Sequence, residues 1–143
     1  MRSARTPPFG TISAVDLVSN QIVWQQPAGM IEDTVVGGVR VSAPIPLGMP
    51  PMGGPQSTRA GLVFYAGTQD FYLRAFDEID GTDLWQRAHA SRFARHADEL
   101  CSPTTGKQYI VIVSGGARQS PVRGDYVIAC ALPDDVINQE TAD

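Results

Sequence analysis

The residues able to do chemistry are few in this chain and far apart. His89 and His96 are its only histidines and stand seven residues apart, so a helix over 88–100 would place both on one face. Two imidazoles are too few for a metal site, which needs more ligands. Cys101 and Cys130 also lack metal-ligand spacing. A disulfide between them is conceivable, but two unpaired thiols is the better reading. Asp70 closes Gly67-Thr68-Gln69-Asp70, and Arg118 closes Gly115-Gly116-Ala117-Arg118. Their plain readings are a turn aspartate capping exposed N–H groups and a solvated loop arginine.

The element that positions Asp70 is a predicted β-hairpin. Phe71 to Phe76 alternates, with Tyr72, Arg74 and Phe76 on one face and Phe71, Leu73 and Ala75 on the other. Asp77 opens a turn, Asp80-Gly81 supplies its positive-φ corner, and Leu84-Trp85 begins the return. The pattern occurs twice. Ala14, Asp16, Asn20, Trp24 and Gln25 match Ala75, Asp77, Gly81, Trp85 and Gln86 at a constant offset of 61 residues. Asn20 therefore takes the left-handed turn position that Gly81 fills later. A third copy, Asp125 to Ala131, matches Tyr72, Leu73 and Ala75 with Tyr126, Val127 and Ala129, but lacks the turn and the tryptophan.

One hairpin repeated at wide spacing marks a stacked β architecture, most commonly a β-propeller. The 143 residues leave room for two to three blades, fewer than close a ring. The expected fold is all-β, a partial propeller over residues 1–136 with a solvated acidic tail over 137–143. Recurrence with the repeat makes Asp16 and Asp77 turn residues, and Trp24 and Trp85 packing residues between blades.

Elsewhere, Pro44 to Pro55 reads as an ordered loop or linker, in which Gly53-Gly54 allows close backbone approach. Ala60 to Ala66 reads as an inner strand buried on both faces. Thr104 to Lys107 reads as a hairpin turn, Gln108 to Ser114 as the clearest strand and Tyr126 to Leu132 as the last. Ala88 to Leu100 has no β-branched residue and reads as helical.

A net charge of −4 without a basic stripe argues against a nucleic-acid partner. No run approaches the roughly 20 apolar residues of a spanning helix. The N-terminus has no apolar core of a signal peptide, so any export or anchoring information is expected upstream.

Together, the segments Gly61 to Asp77, Asp80 to Trp85, Gly106 to Ile112 and Gly124 to Pro133 resemble the C-terminal end of the membrane-bound quinoprotein dehydrogenases. These are the glucose, quinate and shikimate enzymes that use pyrroloquinoline quinone (PQQ). The likeness covers about residues 7–87 and 102–136. It implies an eight-bladed propeller on the periplasmic side of the inner membrane, with PQQ in a central funnel beside calcium. Electrons taken from a sugar or cyclic polyol would leave to ubiquinone. The catalytic base lies in earlier blades, so the resemblance implies no catalytic residue here, no tight PQQ or calcium binding by this chain alone, and remaining blades as partners.

The same resemblance makes Asp70 and Thr68 candidate cofactor-binding residues. Asp70 matches an acidic position near the funnel, where a carboxylate could orient the cation or bond a polar group. Gly115 to Arg118 departs from the Gly-Gly-His-Gly of glucose-oxidising members, and Ala117-Arg118-Gln119-Ser120-Pro121 resembles the quinate branch. Arg118 is thereby a candidate for pairing with a substrate carboxylate.

Between Arg87 and Ser102, where the family has a strand, this chain has an unrelated peptide. Codons for 88–101 can be chosen so that reading one base later restores a family-like strand, which suggests two compensating frame shifts. On that reading His89 and His96 have no evolved role, and the neighbouring strands are left with unpaired edges. Two non-enzymatic readings stand beside the dehydrogenase fragment: a propeller interaction scaffold, and a degraded gene product.

Overall fold

A computed structural model describes residues 6–31, 35–36, 39–40, 43–68, 70–88, 94–115 and 124–133. The described residues hold eleven strands and no helix. β1 (Thr11–Asp16) and β2 (Gln21–Pro27) form one hairpin sheet, and β3 (Val35–Val36) and β4 (Val39–Arg40) a minimal second one. β5 (Gln56–Ser57), β6 (Leu62–Tyr65), β7 (Tyr72–Asp77) and β8 (Asp83–Ala88) form a central antiparallel sheet in chain order. β9 (Ala94–Cys101), β10 (Gln108–Ser114) and β11 (Tyr126–Cys130) form a C-terminal sheet with β10 in the middle. This is the expected all-β, partial-propeller arrangement: part of one blade, one four-stranded blade and a three-stranded one.

The repeat is visible in the backbone as well as the sequence. β1 pairs with β2 with Ala14 opposite Trp24, and the register slips between Ala14 and Val15. β7 pairs with β8 with Ala75 opposite Trp85, and the register slips between Ala75 and Phe76. Each slip is a β-bulge, which tightens the twist before the turn. Asp16 then accepts a hydrogen bond from Val18 N–H at 2.8 Å, and Asp77 accepts one from Ile79 N–H at 2.7 Å. The corner residues Asn20 (φ 56°) and Gly81 (φ 77°) share the left-handed conformation, as their alignment requires. Both aspartates are therefore turn builders.

The central sheet is apolar on both faces because it has a neighbour on each. Towards the hairpin sheet, Ile12 and Ala28 pack with Val63, Tyr65 and Phe76, and Trp24 lies against them. Towards the C-terminal sheet, Ala66 and Leu73 pack with Ala97, Ile110 and Ile112. Phe76 and Leu73 thus point to opposite neighbours, as their alternation demands. The Pro-rich segment is an ordered strap: Leu47 accepts from Phe9 N–H, Met49 N–H donates to Ala28 and Met52 N–H to Gly67. A Cβ on Gly67 would fall 2.7 Å from Gly53 N, so those two backbones meet closely. Gly54 has no such contact.

Three expectations need correction. The strand begins at Tyr72, since Phe71 has φ 65° and turns the chain into it. The last strand stops at Cys130. The predicted helix over 88–100 does not form: β8 runs to Ala88, and Ala94–Cys101 is strand β9. β10, rich in β-branched residues, offers an edge that β9 pairs from Cys101 opposite Gln108 to Ala94 opposite Ser114. A helix of about this length is marginal in water, whereas ladder pairing plus the burial of Ala97 rewards an extended chain. The expected unpaired edge of β10 is accordingly filled.

Cys101 lies on β9 and Cys130 on β11, with β10 between them, and both are free thiols. The predicted acidic tail, Arg118 and His89 lie outside the described residues, as does the side chain of His96.

Candidate functional site

The chain leaves β6 at Tyr65 and returns at Tyr72 through a loop that carries Thr68 and Asp70. The exit of β2, the exit of β8, the entry to β9 and the exit of β10 all lie at this same end of their sheets. Antiparallel pairing requires it: Thr11 faces Pro27, Tyr72 faces Ala88, and Ser114 faces both Ala94 and Tyr126. The opposite end carries the Asp16–Asn20 and Asp77–Gly81 turns.

Asp70 is 3% exposed and Thr68 0%. Its carboxylate is an acceptor shared by three segments. Oδ2 accepts from Met30 N–H at 2.7 Å and pairs with the Arg74 guanidinium. Oδ1 accepts from the Thr68 hydroxyl at 2.5 Å, from Arg74 Nη1 at 3.2 Å and from Tyr72 N–H at 3.4 Å. Arg74 Nη1 also donates to Thr68 Oγ1 at 3.2 Å, and its guanidinium lies 5.3 Å from the centroid of the Tyr72 ring. Burial pushes the Asp70 carboxyl up, but the hydrogen bond and charge of Arg74, with Thr68 and Met30, hold it below the usual carboxylate value. Directly opposite Arg74 stands Tyr65, whose phenol is pushed up to about 12 by burial and then by the Asp70 charge.

Gly29 makes this approach possible. It has φ +86°, and a Cβ there would lie 2.9 Å from the Thr68 side chain and 3.1 Å from Asp70 Oδ2. The cluster therefore latches the exit of the hairpin sheet to the β6–β7 loop of the central sheet. A second latch closes the same interface at the opposite end. Trp24 Nε1 donates to the Glu78 carbonyl at 2.9 Å, and Gln26 Nε2 donates to the Gly81 carbonyl at 2.6 Å. A Cβ on Gly81 would reach 2.6 Å from the Trp24 ring, so the indole lies flush on the bare corner of the next hairpin. This is the inter-blade packing role expected of Trp24.

Of the candidate residues, the structure brings Thr68 and Asp70 together and engages both in the latch. Arg118 and Gln69 lie outside the described residues. Arg74, Gly29 and the Met30 amide were missed by sequence reasoning. A signal for the first existed: a cation inside the apolar run Phe71 to Phe76, four residues after an acid, calls for a buried partner. No group of three or more His, Cys, Asp or Glu residues suited to a metal ion occurs among the described residues. No helix among them is long and apolar enough to cross a membrane.

Residues 2–110 match the family model described as glucose/ethanol/alcohol dehydrogenase, β-propeller domain, with PQQ in its title. A probable quinate dehydrogenase (quinone) of Xanthomonas campestris pv. juglandis is 53% identical over 130 residues, 91% of this chain and 16% of the relative. The quinate/shikimate dehydrogenase (quinone) of Acinetobacter baylyi is 50% identical over 88% of this chain and 16% of its own length. The quinoprotein glucose dehydrogenase of Escherichia coli is 40% identical over 92% of this chain and again 16% of its own length.

Proposed function

This chain belongs to the PQQ-dependent dehydrogenase β-propeller family, and on that premise we propose that it is the blade segment of a quinate- or shikimate-oxidising enzyme that borders the cofactor. The chain spans about 16% of the length of the curated relatives it matches. In this reading oxidation is carried out by a longer assembly, and the chain alone is inactive. When bound, PQQ supplies two-electron acceptance from a C–H bearing a hydroxyl. The reading extends to electron delivery to ubiquinone, on the periplasmic side of the inner membrane, with calcium beside the cofactor.

The described residues fit a bordering role better than ligation. Both oxygens of Asp70 and the hydroxyl of Thr68 are spent on Arg74, Met30 N–H and each other. They serve the cofactor by holding the β6–β7 loop and the exit of β2 in one fixed arrangement at the loop-bearing face. A rigid wall of this kind keeps a bound group oriented without contributing a ligand. Arg118 follows β10 in the sequence, and in this reading its guanidinium pairs with the carboxylate that quinate and shikimate carry and glucose lacks.

The observation that carries the substrate choice is the gradient of likeness, 53% and 50% to the two quinate-type relatives against 40% to the glucose enzyme. A chimera tests it. Residues 7–133 of this chain would replace the matching segment of the Acinetobacter baylyi quinate/shikimate dehydrogenase, and PQQ-dependent quinate oxidation would be followed with a ubiquinone analogue. Retained quinate turnover, lost on Arg118→Ala through a raised KM, is the expected result. A chimera that folds and binds PQQ but oxidises glucose in preference to quinate would sink the proposal.

A further inference from the structure

The residue just before β7 is held in a conformation its side chain resists. Phe71 has φ 65°, inside the left-handed region, and among the described residues other than glycine it shares that region only with Asn20. An asparagine enters it readily because its short amide bonds locally, whereas the Cβ of a bulky residue crowds the following carbonyl. The hairpin itself does not demand this. In the other two copies of the repeat the matching positions are Gly10 and Asp125, residue types that turn left-handed easily, and neither does so.

What imposes the conformation is the latch. Asp70 Oδ1 is fixed by the Thr68 hydroxyl and Arg74, and it also accepts from Tyr72 N–H at 3.4 Å. The carboxylate thus reaches across Phe71 and makes it the corner of a tight turn. That corner takes Phe71 out of the strand alternation that sends Leu73 into the core, and leaves it half-buried at the loop-bearing end. A large ring kept at a strained corner, where glycine or asparagine would fold more easily, points to a use for the ring.

We infer that Phe71 is a specificity-determining residue: its ring is an apolar wall of the substrate site, packed against the ring methylenes of quinate or shikimate. The inference rests on the proposal that the substrate is of that class, and deepens it. Every ring carbon of glucose bears an oxygen or a hydroxymethyl group, whereas quinate and shikimate keep bare methylene beside the carbon that carries the carboxylate. An aromatic face suits such an edge and leaves a hydroxyl without a partner. Phe71 and the Arg118 guanidinium then address the same end of the molecule, one its apolar edge and the other its charge.

Phe71→Asn tests this in two settings. In the chain alone, relief of the backbone offsets the lost ring contact, so the melting temperature stays within about 4 °C of wild type or rises. In the Acinetobacter baylyi chimera, PQQ affinity is unchanged and the KM for quinate rises about tenfold with kcat nearly constant. Cyclohexanecarboxylate, which has the carboxylate and the methylene edge but no hydroxyl, should inhibit correspondingly more weakly, and Phe71→Tyr should keep both constants near wild type. The inference is overturned by a Phe71→Asn chain that melts well below wild type, because the ring is then core packing. It is equally overturned by a loss of PQQ affinity, which would put the ring on the cofactor, or by a quinate KM that the substitution leaves unmoved. An unsubstituted chimera that prefers glucose sinks the substrate class first and this inference with it, so the two failures are told apart.

Discussion

The central sheet meets two neighbours, and the two meetings are made differently. Towards the hairpin sheet the interface is apolar in the middle and latched by polar contacts at each end, Asp70 with Arg74 and Met30 at one and Trp24 with Glu78 at the other. Towards the C-terminal sheet it is apolar throughout its core and opens into a groove of about 340 Å³ lined by Leu84, Trp85 and Leu132 among others. Apolar contact is non-directional and tolerates sliding, whereas a buried charge pair fixes one geometry or costs heavily. The first interface can therefore hold the loop-bearing face in register. The second rests, among the described residues, on apolar contact.

The largest test of that contrast is Asp70→Ala, which strands the Arg74 guanidinium in a buried site. A loss of about 3–5 kcal/mol is expected in chemical denaturation, enough to unfold a marginal domain. Asp70→Asn keeps the shape and should cost less. It should also change the acid response. The Asp70 carboxyl is held below the usual carboxylate value, so its stabilisation is full above that usual value and is lost as pH falls through the folded one. Wild-type chain should lose stability across that acid window and Asp70→Asn should show a flatter profile there; identical profiles would remove Asp70 from the latch.

The paired tryptophans give the next effect. Trp24→Ala should cost about 3 kcal/mol or more, and Trp85→Ala under about 1 kcal/mol, in thermal or urea melts of the chain alone. Equal losses would mean that the groove is already closed. Smaller again is Gly81→Ala, which pushes a methyl into the Trp24 ring from a left-handed backbone and should cost about 1–3 kcal/mol. At Gly106, which is also left-handed (φ 69°) but faces open space, Ala should cost only about 1 kcal/mol from backbone strain. A Gly106→Ala loss as large as that of Gly81→Ala would show that strain, not indole contact, explains both.

Much of the fold was legible because repetition carries its own evidence. The offset between Ala14 and Ala75 placed two hairpins, their aspartate turns, the positive φ of Asn20 and the packing role of Trp24. It could not place the latch, since Met30 and Asp70 are forty residues apart and the donor is a backbone amide that any residue supplies. Nor was β9 legible. Its own residues favour a helix, and only the waiting edge of β10 makes them a strand.

The sequence by itself determined the hairpin, its repetition and the resemblance that leads to quinone-cofactor oxidation, because period-two alternation and turn chemistry are local and survive without context. Only the tertiary structure decided that Asp70 and Thr68 are consumed by Arg74 and Met30, that one sheet interface is latched and the other open, and that 94–101 is extended. Those outcomes depend on which backbone groups lie unpaired across a gap. That is a property of the assembled sheets and is written in no single segment.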